Sequence, residues 1–427
     1  MIRLFRQFVV GQGGMQALQA FNGLLLVWLL PIPDFAVYAV FTAAMGFSSQ
    51  MIGFGLGPTL SACVGARFEN PTIVGRYLRA AFRLRLWTLA IISPVGIGLL
   101  IYSGLKTESS TTSLTLLSIC LLAANYLRAQ TDLFQTPLKM HRKLDRLYRW
   151  TIAAELLRLA LFALAYFGGV LDVMTAALIT VAGLALNTYG AYKEGRVLFC
   201  YPADPCAAER RHLLHLTLPT LPNVIFGAFQ GQIVIFMAAL FGTTTQMAAV
   251  GALGRLARIL TFLTAANNMI LGPEVAKQAP DVFWKRVPII LGIAFGLAGA
   301  ISVSGFLFPE TLVYVLGGKY QELSAVVWLV TLNAGLGYLT NVVGTLRSFR
   351  RWIAWWASFA TIAAILVAQT IVINLAPLDT LLGILLLDTA ASIGRLSMSF
   401  FTMATARFKP EWLRSIQSAE SVAPTRT

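Results

Sequence analysis

Five arginines, Arg128, Arg158, Arg255, Arg258 and Arg395, fall inside long apolar stretches of the chain. An arginine at the centre of a bilayer helix costs ~2.5–3.5 kcal/mol on insertion scales, so such residues face a bundle interior or a watery cavity. A guanidinium there pairs with a phosphate or carboxylate through strong, often bidentate hydrogen bonds. The chemistry on offer is therefore the holding of anions. Carboxylates are scarcer in the same stretches: Asp132, Glu155 and Asp388. Arg255 and Arg258 sit close together with no acidic residue in their own stretch, which marks them as cavity residues. Asp388 and Asp132 are the carboxylates placed to bind H⁺ or Na⁺ as a driving ion.

The polar residues around these charges recur at helical spacing. Gly254, Arg258, Thr261, Ala265 and Asn268 stand at i, i+4, i+7, i+11 and i+14, one stripe on one helix face with Arg255 at its flank. Asp388, Ser392, Arg395, Ser399 and Thr402 repeat the pattern, as do Gln12, Gln16, Gln19 and Gly23. Asn125, Arg128, Asp132 and Gln135 share an arc, Asn223, Gly227 and Gln230 another, and Asn333, Gly337, Thr340 and Gly344 a third. Stripes from both halves imply a shared central cavity suited to a hydroxyl-rich, anionic cargo such as a sugar phosphate. Arg255, Arg258, Arg395, Asn268, Gln16, Gln19, Gln230 and Arg128 are the candidate substrate-binding set. Each stripe has a plainer reading, since small and polar residues also pack membrane helices together. Glu155 with Arg158 reads as a local i, i+3 pair near the cytoplasmic edge, and Arg128 with Asp132 as a self-satisfied i, i+4 pair.

Other constellations carry less. Cys200, Cys206, His212 and His215 fit no zinc spacing, so no metal is expected. Gly11, Gly13 and Gly14 lack the preceding strand and following Lys-Ser/Thr of a phosphate loop. Phe408 to Ser418, with Lys409, Trp412 and Arg414, reads as a membrane-surface anchor.

The elements that must position these residues are membrane helices. Of 427 residues 57% are hydrophobic and 12% charged, which excludes an aqueous fold and a disordered chain alike. Twelve spans are predicted: 9–31, 35–62, 86–103, 113–137, 150–168, 173–192, 219–241, 247–273, 287–308, 322–346, 352–376 and 380–405. With both termini cytoplasmic, 26 of the 33 Lys and Arg lie in internal segments and only Lys106 and Lys319 outside, which explains the net charge of +15 without nucleic acid. Arg67 to Arg85 counts among the internal basic segments. The external loops are short. An offset of 215 residues lays Gly57-Pro58 on Gly272-Pro273 and Phe47 on Phe262. The expected organisation is an all-α integral membrane protein: an N-terminal six-helix bundle at 1–192, a cytoplasmic linker at 193–216, a C-terminal six-helix bundle at 217–406 and a tail at 407–427.

Three stretches, Val250 to Lys277, Val315 to Ser348 and Phe35 to Arg67, resemble the polysaccharide-exporter branch of the multidrug, oligosaccharidyl-lipid and polysaccharide exporter superfamily. Gly317, Gly318 and Pro273 match that family's structural marks. The resemblance implies two six-helix bundles around a cavity that opens alternately to either side. It implies a flippase, not an enzyme, moving an undecaprenyl-pyrophosphate-linked oligosaccharide across the bacterial inner membrane without a cofactor. Arg255 and Arg258, with Arg395, would be its cationic cavity, and polysaccharide polymerase and glycosyltransferase machinery its working partners. Where relatives often carry a charge in span seven, this chain has Gln230 and Gln232. Two alternatives are a cation antiporter of the multidrug and toxin extrusion type, which wants acidic residues facing its cargo, and a membrane-embedded polymerase or ligase, which wants larger external loops.

Overall fold

The computed structural model describes residues 2–54, 56–64, 68–107, 110–141, 143–201, 206–218, 221–259, 263–264, 267, 271, 275, 280–349 and 355–408. The chain separates into two compact units, Met1–Arg255 and Leu256–Thr427. Among the described residues nine helices are long and apolar enough to cross a membrane, and one bent helix pair makes a tenth candidate. This is a multi-pass, all-helical membrane protein.

The first unit holds α1 (Ile2–Leu29), α2 (Ile32–Gly53), α3 (Leu56–Val64), α4 (Pro71–Lys106), α5 (Thr111–Met140), α6 (Leu144–Phe167) and α7 (Val173–Gly195). It continues through α8 (Ala207–Thr217), α9 (Leu221–Gln230), α10 (Ile233–Phe241) and most of α11 (Thr244–Ile259). Local chemistry sets the helix starts. Asn70 accepts from the amides of Thr72 and Ile73 with Pro71 beside it at the start of α4, and Asp172 and Thr175 cap α7 reciprocally. At α6's end Gly169 takes φ +67°, open to glycine without strain.

Helix α2 is the axis of this unit, packed by α4, α5, α7, α9 and α10. Its most apolar window is 83% buried, against 17% for the most apolar helices of the second unit, so it meets protein where they meet lipid. Helix α4 has 36 residues, about 54 Å at 1.5 Å per residue, and outruns a ~30 Å hydrocarbon core. Helix α8 docks on α3 and α4, burying Leu213 and Thr217.

Two spans read as continuous are broken. Span 35–62 divides at Phe54, which ends α2 with φ 17° and ψ 47° before α3 begins. Span 219–241 divides at Gly231 and Gln232, where α9 and α10 bend by 54°. Gln232 comes within 3.1 Å of the position a Cβ on Gly46 would take, so the break sits against α2. At the other end of α10 the Lys106 ammonium donates to the carbonyls of Ala239, Leu240 and Gly242 at 3.2, 3.1 and 2.7 Å. A cation there satisfies a helix's unpaired carbonyls.

The second unit contains α12 (Pro280–Leu307), the short α13 (Pro309–Tyr314), a 3₁₀ segment (Gly318–Ala325), α14 (Val327–Phe349), α15 (Trp355–Leu375) and α16 (Leu381–Phe408). Helix α14 packs on α12 and α16, and α16 on α15. Small residues make the α12–α14 seam: a Cβ on Gly335 would stand 2.5 Å from Ser302 Oγ, and Thr331 Oγ1 donates to the Ser302 carbonyl at 3.2 Å. Phe262, Gly272, Pro273 and the tail beyond Phe408 lie outside the described residues.

Candidate functional site

The charges inside the first unit meet at a carboxylate on α6. Glu155 is 7% exposed. One nitrogen of Arg158, Nη1, donates to both of its oxygens at 3.2 and 3.0 Å. From α1, Asn22 Nδ2 donates to Oε2 at 2.9 Å and to the Glu155 backbone carbonyl at 3.0 Å, and Gln19 Nε2 to Oε1 at 3.3 Å. The i, i+3 pair expected from sequence is present, but it is buried and shared with another helix. The carboxylate thus accepts four hydrogen bonds from three donors, which offsets the several kcal/mol that an unpaired charge costs on burial.

A second guanidinium comes from α11. Arg255 Nη2 donates to Thr42 Oγ1 on α2 at 3.1 Å, and the guanidinium lies 5.9 Å from the ring centre of Tyr38. The Tyr38 hydroxyl bonds Thr180 Oγ1 of α7 at 3.0 Å. Arg158 and Arg255 are electrostatic neighbours. Among the described residues Arg255 makes no ion pair, and the ion pair of this cluster is Arg158 with Glu155 alone.

Glycines make room for both arginines. A Cβ on Gly183 of α7 would lie 2.5 Å from the Arg158 stem, and one on Gly23 of α1 would lie 3.1 Å from Arg255 Cδ. One turn before Arg255, a Cβ on Gly251 would meet the Ala39 methyl at 2.5 Å, so only a glycine lets α11 lie this close to α2. Asn22 Oδ1, Gln16 Oε1 and Arg158 Nε are buried with no hydrogen-bond partner among the described residues. A buried polar atom left so costs about 1–3 kcal/mol unless a bound group or water meets it.

The sequence-derived candidates divide accordingly. Arg255 and Gln19 belong to this cluster, and half-buried Gln16 sits one turn below Gln19 on α1. Gln230 is buried at the end of α9. Arg128 and Asp132 are half-buried on α5 but form no ion pair with each other; Asp132 is instead the electrostatic neighbour of Arg85. Arg395 is exposed on α16, two turns from half-buried Asp388 and its electrostatic neighbour. Arg258 lies in α11 with its side chain outside the described residues, and Asn268 lies outside them altogether. In span ten, no described atom lies within 4 Å of where a Cβ on Gly337 or Gly344 would stand, whereas Gly335 and Thr331 meet α12 closely. Among the described residues no three His, Cys, Asp or Glu converge, and His212 Nδ1 instead bonds the Tyr77 hydroxyl at 3.0 Å.

Sequence reasoning missed Asn22, Tyr38, Thr42 and Arg85. Arg85, grouped with the basic loop, is 4% exposed and donates from Nη1 to the Ala129 carbonyl. Its spacing holds the signal, because Val74, Leu78, Ala81 and Arg85 recur at i, i+4, i+7 and i+11 and all four are buried. Asn22 stands three residues after Gln19, and Thr42 four after Tyr38, so both had helical spacing but no charge to mark them.

No family model matches the chain, and no curated protein matches it. Solved structures do. The lipid II flippase MurJ in an inward closed conformation is 11% identical, with a TM-score of 0.64 over 98% of this chain and 93% of that one. The eukaryotic MATE transporter AtDTX14 is 13% identical, with a TM-score of 0.64 over 98% of this chain and 99% of that one. An inward-facing multidrug resistance MATE family transporter of the MOP superfamily is 14% identical, with a TM-score of 0.62 over 94% of this chain and 96% of that one. The chain therefore has the fold that MATE transporters and the lipid II flippase share.

Proposed function

We propose that the chain is a flippase moving a lipid-linked oligosaccharide, carried on undecaprenyl pyrophosphate, across a bacterial inner membrane by alternating access. The observation that carries this is the buried guanidinium of Arg255, for which the cluster supplies no carboxylate: Glu155 is already engaged by Arg158, Asn22 and Gln19. An interior with one positive charge to spare favours a cargo bearing phosphate. Arg258 and Arg395 remain the other candidate arginines for phosphate, and Asp388 and Asp132 the carboxylates for a driving ion. The likeness to a lipid II flippase supports a lipid-linked cargo. Polysaccharide polymerase and glycosyltransferases would act beside it. The test is surface glycan in cells carrying Arg255→Ala or Arg258→Ala. Loss of display, with lipid-linked repeat units retained on the cytoplasmic side, is expected; normal display at wild-type protein level would refute the reading.

A second reading, efflux of organic cations, draws on the likeness to multidrug MATE transporters and on the buried carboxylate itself. Against it, the donors around both Glu155 oxygens stand where a cationic cargo or metal ion would have to approach. Resistance to cationic dyes that falls on deletion of the chain would favour this reading over the first.

A further inference from the structure

The face of α4 opposite its buried row carries Arg76, Arg79 and Arg83 at i, i+3 and i+7, a ladder about 10 Å long. The helix has no acidic residue in its 36 positions. The Arg76 side chain is 45% exposed and pairs with Glu209 of α8 at 3.1 Å. Arg79 and Arg83 are half-buried, and Arg79 is an electrostatic neighbour of Tyr201, whose hydroxyl burial pushes up to about 12 against the pull of that guanidinium. Arg210 and Arg211 of α8 add positive charge beside the ladder.

One turn past Arg83 the same row turns apolar. Trp87 and Ile91 are each 67% exposed, too much for residues inside a bundle. Guanidiniums, then an exposed tryptophan, then an exposed aliphatic side chain, along one i, i+4 row that drifts by about 40° per step, is the order met on passing from headgroups into acyl chains. A solvated charge run has no reason to continue into Trp87 and Ile91. We propose that this row binds one anionic phospholipid from the surrounding leaflet, its headgroup phosphate on Arg79 and Arg83 and its acyl chains along Trp87 and Ile91. The site is separate from the Glu155 cluster and does not depend on what the chain transports.

Native mass spectrometry of the purified, delipidated chain with added phosphatidylglycerol or phosphatidylcholine tests it. Wild type should retain phosphatidylglycerol in excess. The double substitution Arg79→Gln with Arg83→Gln should cut that preference roughly 10- to 30-fold, at about fivefold per arginine. Arg79→Lys with Arg83→Lys, which keeps the charge, should retain most of it, as should Arg149→Gln, at an exposed arginine on another helix. Glycerol 3-phosphate should not displace the lipid. Equal retention of the two lipids by wild type, or unchanged retention by the double Gln variant, overturns the proposal, and displacement by glycerol 3-phosphate overturns the role of the acyl chains.

Discussion

The two units are built from the same kind of helix yet have different interiors. In the first, Arg85, Glu155 and Arg255 are buried, along with Asn22, Asn125 and Gln130. In the second, the buried polar residues among those described are neutral: Thr331, Thr345, Gln369, Thr389, Ser399 and Thr402. Three of these hydroxyls are spent on carbonyls of their own helix: Thr345 Oγ1 to Asn341, Thr389 Oγ1 to Leu385 and Thr402 Oγ1 to Met398. Those three hydroxyls serve their own helices, while the buried charges of the first unit take partners from other helices. The difference teaches where sensitivity to mutation should lie.

The largest contrast is at Glu155. Removing it as Glu155→Ala strands Arg158, and stability should fall by about 3–5 kcal/mol, as for breaking a buried ion pair. Thr389→Val in the second unit should cost under about 1.5 kcal/mol. Unfolding of the detergent-solubilised variants compares them, and equal losses would erase the distinction. Next comes Gly183→Leu, which must push the Arg158 stem aside and should cost about 1–3 kcal/mol in the same assay; a wild-type midpoint would show that Arg158 moves freely. Capping should matter less: Lys106→Met should lower stability by about 1 kcal/mol, an effect that shrinks in high salt if charge on α10's carbonyls is the cause. Smallest in stability is Arg255→Met, which trades a buried unpaired cation for an apolar chain. Its unfolding midpoint should hold or rise while transport fails, and a large drop would make Arg255 a structural residue.

Much of the fold was legible because membrane helices announce themselves by length and hydropathy. The span predicted at 113–137 lies within α5, and those at 150–168 and 380–405 match α6 and α16 but for one residue past an end of each. The breaks at Phe54 and Gly231 were not, since each depends on what packs against it: Gly231 and Gln232 read as ordinary members of an apolar run. At the site, Gln19 and Arg255 were picked out by type and spacing. Asn22 was not, because an amide at the flank of the glutamine stripe acquires meaning only when another helix delivers Glu155 to it. Glu155 and Arg158 were seen as a pair, but i, i+3 spacing gives the partner and not the contacts that another helix adds.

Lys106 and the arginine ladder stand at opposite ends of α4. Because that helix grips the carbonyl terminus of α10, a tilt imposed at its basic end would swing α10 as on a spar. The 54° elbow at Gly231 would spare α9 from following. Lipid composition on one side of the membrane would thereby have a lever on the other.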